Sequence, residues 1–103
     1  MSPLRISLCP NGDAINFPDF DSGADLDVIE EVLLRSGMRR KAGWSSPLED
    51  VRRFGTKTGD VVLRWDGYFT DLVADRGGVR LPELFVELSN SPHFDAFETR
   101  GVG

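Results

Sequence analysis

The segment VVLRWDGYFTDLV, residues 61–73, restricts the fold more than any other part of the chain because it has the pattern of a β-hairpin. Two runs rich in β-branched and aromatic residues flank Asp66-Gly67, a pair favoured in two-residue type I′ turns. Such a turn places Trp65 opposite Tyr68. One face of the hairpin then has five apolar residues among six and is predicted to face the core. Its residues are Val61, Leu63, Trp65, Tyr68, Thr70 and Leu72.

The opposite face of this hairpin is mixed in character. It carries Val62, Arg64, Phe69, Asp71 and Val73. Arg64 is expected to lie over the Phe69 ring and to reach Asp71 diagonally across the two strands. Because this face is neither plainly solvated nor plainly apolar, we expect another segment of the chain or a partner to cover it.

The first third of the chain predicts a second hairpin followed by a helix. Apolar and polar residues alternate over residues 4–17, on either side of a turn sequence at residues 10–13. Ser22 has the position of a helix cap, and Gly37 has the position of the left-handed residue that ends the helix. The apolar stripe of this helix is Leu26, Ile29, Val32 and Leu33.

The middle and the end of the chain are harder to assign. Ser46-Pro47-Leu48-Glu49 has the spacing of a helix start, which predicts a short helix that ends at Gly55 with Leu48, Val51 and Phe54 facing inward. Residues 39–45 are predicted to be a basic connection. Residues 82–91 fit a helix and a strand about equally well. In the tail, Phe94 and Phe97 are expected to pack onto the body of the protein.

These elements predict a single α+β domain that spans residues 1–103. In the predicted order β-β-α-α-β-β-α, two hairpins form a four-stranded, mainly antiparallel sheet, and two or three helices pack on one of its faces. Such architectures serve many unrelated functions, so the fold class does not identify the function.

Charge restricts the choice of partner. The formal net charge of −5 argues against nucleic acid or an anionic membrane as the main partner, because both attract positive surfaces. Residues 11–31 carry seven acids and no base, whereas residues 35–57 carry seven bases and two acids. The two segments are expected either to mark two binding patches or to neutralise each other in the fold. The basic stretch at residues 38–44 leaves nucleic-acid binding as a weaker alternative. No leader-like segment and no long apolar run is present, which predicts a cytoplasmic protein.

The sequence offers little catalytic chemistry. Cys9 and His93 are the only cysteine and the only histidine, and neither lies in a recognised nucleophile setting. Residues 19–30 partly match a calcium loop, but its glycine is one place early and a strand precedes it. We therefore predict no enzymatic activity, no cofactor and no metal site, and we interpret the acids of this loop as favourable charges at a helix N-terminus.

A small acidic protein-binding module is the function that these features favour. In size, charge and fold class the chain resembles, as a physical type only, the immunity proteins that neutralise bacterial toxins. Acids would speed encounter with a basic partner, and aromatic side chains would anchor the complex. The candidate partner-binding acids are Asp19, Asp21, Asp25, Asp27, Glu30, Asp66 and Asp71, and the candidate anchors are Trp44, Tyr68 and Phe69. The alternatives are a homo-oligomeric scaffold that pairs through a sheet edge or the mixed hairpin face, and a small ligand-binding or enzymatic domain.

Overall fold

The computed structural model describes residues 3–20 and 26–96, and its strands there form one seven-stranded mixed sheet. The strands are β1 (Leu4–Leu8), β2 (Ile15–Asn16), β3 (Arg39–Ser46), β4 (Glu49–Gly55), β5 (Gly59–Trp65), β6 (Thr70–Gly77) and β7 (Phe94–Ala96), and the helices are α1 (Leu26–Arg35) and α2 (Leu81–Ser89). The sheet order is β3-β4-β5-β6-β2-β1-β7. The prediction of a four-stranded sheet was therefore wrong, although the class is still α+β.

Helix α1 follows the predicted apolar stripe. Its buried residues are Leu26, Ile29, Val32 and Leu33. Gly37 has a φ of +95°, and the backbone N–H of Met38 donates to the Leu33 carbonyl at 3.2 Å, which gives the helix a left-handed C-cap. The predicted end of the helix is therefore confirmed. The predicted cap at Ser22 lies outside the described residues.

The predicted second helix is wrong, because its residues form the turn and second strand of the β3–β4 hairpin. The Ser46 hydroxyl accepts hydrogen bonds from the backbone N–H groups of Leu48 and Glu49, both at 3.2 Å. A serine hydroxyl can cap a tight turn by the same local hydrogen bonds with which it caps a helix. Pairing with β5 favours a strand over a helix for residues 49–55, since it places Phe54 opposite Val61 with both side chains buried.

The β5–β6 hairpin has a longer turn than predicted. Trp65 pairs with Thr70, and the turn therefore spans residues 66–69. The register shifts by two residues, which preserves the predicted faces of both strands. Val61, Leu63 and Leu72 are buried as expected. The assignment of Tyr68 to the core was wrong, because this residue lies in the turn and is exposed.

The last described elements complete the core. Residues 81–89 are helical, and α2 buries Leu81, Leu84 and Leu88. Phe94 is also buried, and β7 lies parallel to β1 with Leu4 opposite Phe94. Phe97 lies outside the described residues. The apolar residues of both helices join those of the strands in one cluster, so both helices cover the same face of the sheet.

Candidate interaction surface

We call the sheet face opposite the helices the outer face. Strand register places two rows of side chains across it, because residues that pair between neighbouring strands point to the same side. One row is Trp44, Val51, Arg64, Asp71 and Asn16. The next row is Ala42, Arg53, Val62 and Val73. Neither described helix covers these rows. The helices therefore do not supply the cover that the sequence predicted for the mixed hairpin face.

Two ion pairs hold the charged side chains of the outer face. The Arg64 guanidinium donates from Nε and Nη2 to the two carboxylate oxygens of Asp71, at 2.8 and 3.3 Å. Arg53 Nη2 lies 2.7 Å from an Asp75 carboxylate oxygen. Arg64 and Asp71 are direct neighbours in the register, not the diagonal pair that the sequence predicted. The hydrogen bonds to Asp71 raise the pKa of Arg64, which keeps this arginine cationic.

Four exposed large apolar residues lie at the end of the sheet where the β3–β4 and β5–β6 turns meet. Trp44 is 55% exposed on β3, Leu48 is 78% exposed in the β3–β4 turn, and Tyr68 and Phe69 are 76% and 73% exposed in the β5–β6 turn. The two turns are neighbours, since a methyl group on Gly67 would lie 3.3 Å from the Leu48 carbonyl oxygen. We call these four residues the turn-end patch.

A shallow hollow extends the turn-end patch along the sheet. It has a volume of about 180 Å³ beside the Trp44 ring, and its floor includes Val51 and Val62. The aliphatic stem of Arg53 borders it while the guanidinium contacts Asp75. The hollow gives this part of the outer face a concave apolar surface next to an exposed aromatic ring.

Asp66 organises the turn that presents Tyr68 and Phe69. Its carboxylate accepts hydrogen bonds from the backbone N–H groups of both residues, at 3.0 and 2.9 Å. Gly67 has a φ of +98°, a conformation that glycine adopts without strain. The hydrogen bond from Phe69, followed by that from Tyr68, lowers the pKa of Asp66 below the ordinary aspartate value.

Replacing Asp66 with alanine is expected to lower the melting temperature at neutral pH, and this loss should disappear in acid. The pKa is lower in the folded state than in the unfolded chain, so the ionised carboxylate stabilises the fold above the unfolded-state pKa. That contribution is lost as the pH falls through the lower, folded-state value. Calorimetric melting curves across the acid range would measure it. The control is Asp13→Ala, since Asp13 lies in another exposed turn without an ion pair to a described residue. A pH-independent difference for Asp66→Ala would contradict the assignment.

Four of the predicted partner-binding acids pair with arginines of the same chain, namely Asp71 as described above and Asp19, Asp27 and Glu30. Asp19 contacts Arg5 at 3.2 Å, outside the turn-end patch. Asp27 and Glu30 lie on α1, on the opposite side of the sheet from the patch. Asp21 and Asp25 lie outside the described residues. The structure therefore brings Trp44, Tyr68, Phe69, Asp66 and Asp71 together at one end of the outer face, and it separates Asp19, Asp27 and Glu30 from them.

Sequence reasoning allowed that the acidic and basic segments neutralise each other, but it did not identify the charged cluster that joins α1 to the sheet. Arg52 on β4 has a side chain only 12% exposed and contacts three acids: Asp27 at 2.7 Å, Asp50 at 2.9 Å and Glu30 at 3.5 Å. Arg40 contacts Glu30 from β3 at 3.2 Å. The hydrogen bonds to Asp50 raise the pKa of Arg52, against the cost of its burial. Asp27 and Glu30 of α1 therefore bind the sheet of their own chain.

A second concave region lies on the helix side, between the end of α1, the β4–β5 turn and α2. This cleft has a volume of about 330 Å³ and an apolar floor that includes Met38, Leu84 and Leu88. Lys57 and Arg80 face Glu83 and Glu87 around it, and its lining contains neither cysteine nor histidine. The opposed charges do not select one class of ligand.

Cys9 and His93 do not meet. Strand β1 separates them, because His93 precedes the residue that pairs with Leu4 whereas Cys9 follows Leu8. The length of this strand corresponds to about 16 Å. The Cys9 sulfur accepts a hydrogen bond from the Asn16 amide at 3.1 Å. The two residues therefore do not form a catalytic dyad in this structure.

Comparison with known protein families, with curated proteins and with solved structures gave no match to this chain. Among the described residues, no helix has the length and apolar character needed to cross a membrane. Within the same residues, no group of three or more histidine, cysteine or acidic side chains is arranged to hold a metal ion.

Proposed function

We propose that this protein is a protein-binding module that docks a basic partner, such as a bacterial toxin, in the cytoplasm through the turn-end patch and the adjoining outer face. The observation that carries the proposal is the exposure of Trp44, Leu48, Tyr68 and Phe69 at one end of a sheet face that no described helix covers. Aromatic side chains are the commonest anchors of protein interfaces.

The shape of this surface suits a protein more than a small ligand. Across three strand spacings, Trp44 and the β6 end of the patch are about 14 Å apart, whereas the hollow between them is shallow. Exposed apolar patches with polar surroundings mark protein-interaction sites. The ion pairs of Arg64 with Asp71 and of Arg53 with Asp75 provide such surroundings.

The charges around the patch favour a basic partner. The two arginines of the rows described above, Arg53 and Arg64, are already paired, whereas Glu49 and Asp66 form no ion pair with a described residue. The surface therefore has a surplus of negative charge next to the aromatic rings, in keeping with the net charge of −5. Carboxylates at the rim of an interface attract a cationic partner and raise the association rate.

The double variant Tyr68→Ser/Phe69→Ser is expected to lose a basic partner that the unaltered protein binds. Removing two anchors should weaken binding about 100-fold. Immobilised protein would be exposed to an extract of the source cells, and captured proteins would be identified by mass spectrometry. The purified partner would then be titrated against both forms. Its association rate should fall at least about tenfold between about 10 mM and about 150 mM salt.

The matched control is Leu34→Ser/Val86→Ser, which removes two exposed apolar side chains from the helices. This control should bind the partner as well as the unaltered protein does. Because all four side chains are exposed, neither variant should change the melting temperature by more than a few degrees. The proposal fails if Tyr68→Ser/Phe69→Ser retains the same proteins as the unaltered chain, or if the protein that it loses is acidic.

A further inference from the structure

Strand β3 forms one edge of the sheet and is unusually open. All eight of its residues are exposed, and among the strands that the structure describes only β4 pairs with it. An edge strand presents unpaired backbone N–H and C=O groups that can bind another strand. Soluble proteins commonly protect such an edge with lysine, proline or a β-bulge.

Only the first half of this edge is protected. Arg39, Arg40 and Lys41 are cationic, and the register shifts at Lys41 to form a bulge. The following five residues, Ala42–Ser46, pair regularly with β4 and contain no charge and no proline. They are a short, regular strand whose outer edge pairs with no other described strand, and Trp44 is at their centre.

We infer that Ala42–Ser46 pairs antiparallel with the same segment of a second copy, around a two-fold axis that passes beside Trp44. In this register Ala42 of each copy lies opposite Ser46 of the other, and the two Trp44 residues are opposite each other. All five residues of Ala42–Ser46 are therefore paired between the two copies. Residues 39–41 of each copy extend beyond the paired segment, one set at each end. The two sheets join into one, and both outer faces point the same way.

Two features make this edge complementary to itself. The paired Trp44 rings gain a cross-strand aromatic contact at the centre of the joined segment. Arg39 of each copy extends past Ser46 of the other, alongside the turn that leads to Glu49. Neither Arg39 nor Glu49 forms an ion pair with any described residue of its own chain, so each can provide the opposite charge for the second copy.

Sedimentation experiments on the purified protein test this inference without any other partner. The mass should rise with concentration, over about 10 µM to about 1 mM, from that of one 11.4 kDa chain toward that of two. Trp44→Lys should weaken self-association at least about tenfold, because it places like charges directly opposite each other. Val86→Lys changes an exposed apolar residue on α2 and should leave self-association unchanged.

A cross-linking experiment tests the register separately. In a Cys9→Ser background, Trp44→Cys should form covalent dimers with a short bismaleimide faster than Val86→Cys does. A strictly monomeric protein over the whole concentration range, or equal cross-linking of the two cysteine variants, would overturn the inference. The Tyr68→Ser/Phe69→Ser variant should still self-associate, so failure of the dimer and failure of the proposed partner site are distinguishable.

Discussion

Replacing Arg52 with methionine is expected to lower the free energy of unfolding by about 3 kcal/mol, because it leaves the partly buried Asp50 without its cation and leaves Glu30 with Arg40 alone. Arg52 neutralises Asp50, Glu30 and Asp27, and the first two of these have side chains less than one-fifth exposed. For a domain of this size, the loss corresponds to a fall of roughly 15 °C in melting temperature. Chemical denaturation followed by circular dichroism would measure it.

Two further variants separate the effect of the cluster from the general loss of an ion pair. Arg35→Met breaks an exposed pair with Glu31 on the same helix and should cost less than about 0.5 kcal/mol. Adding Asp50→Leu to Arg52→Met should recover part of the stability, since it removes the acid that accepts two hydrogen bonds from Arg52. A loss below about 1 kcal/mol in Arg52→Met would show that solvent screens the cluster.

Gly77→Ala is expected to destabilise the protein by about 2 kcal/mol or more, because its methyl group has no space. Gly77 has a φ of +87° and lies opposite Gly59 at the far end of the β5–β6 hairpin. A Cβ atom there would lie 2.7 Å from the Gly59 Cα and 2.8 Å from the Thr58 carbonyl oxygen, and both are backbone atoms. The hairpin must open at this end to accept the alanine.

Gly37→Ala is the matched control for this prediction. Gly37 also has a positive φ, but a Cβ atom at its position would meet no atom within 4 Å. The control therefore reports the conformational strain alone, about 1 kcal/mol. Denaturant midpoints of the two variants should differ accordingly. Equal losses would show that the close contact between the two strands contributes nothing.

Elements were predicted correctly where the local sequence signals and the pattern of buried residues require the same conformation. Helix α1 has an apolar stripe and Gly37 at its end, and both features require the same conformation. In the β5–β6 hairpin, alternation predicted the buried faces even though the turn was two residues longer than expected. The face assignments were preserved because the shift was an even number of residues.

The other elements depend on contacts between distant parts of the chain. Ser46 has the hydrogen-bonding chemistry of a helix cap and of a hairpin turn, and only the adjacent strand β5 decides between them. Similarly, Asp27 and Glu30 of α1 were predicted to bind a partner, but the fold places Arg40 and Arg52 beside them. Trp44, Tyr68 and Phe69 were predicted from the sequence as anchors of an interface. Tyr68 is exposed because the turn is longer than the sequence predicted.

The parallel strand β7 has a consequence for the order of folding. Leu4 near the beginning of the sequence pairs with Phe94 near its end, and β7 is the neighbour of β1 at that side of the sheet. During synthesis, β1 therefore emerges from the ribosome long before β7, and the hydrogen bonds between them form only after nearly all of this sequence has been translated. Until then, the nascent chain exposes the edge of β1, and a chaperone that binds extended segments would have its longest opportunity there.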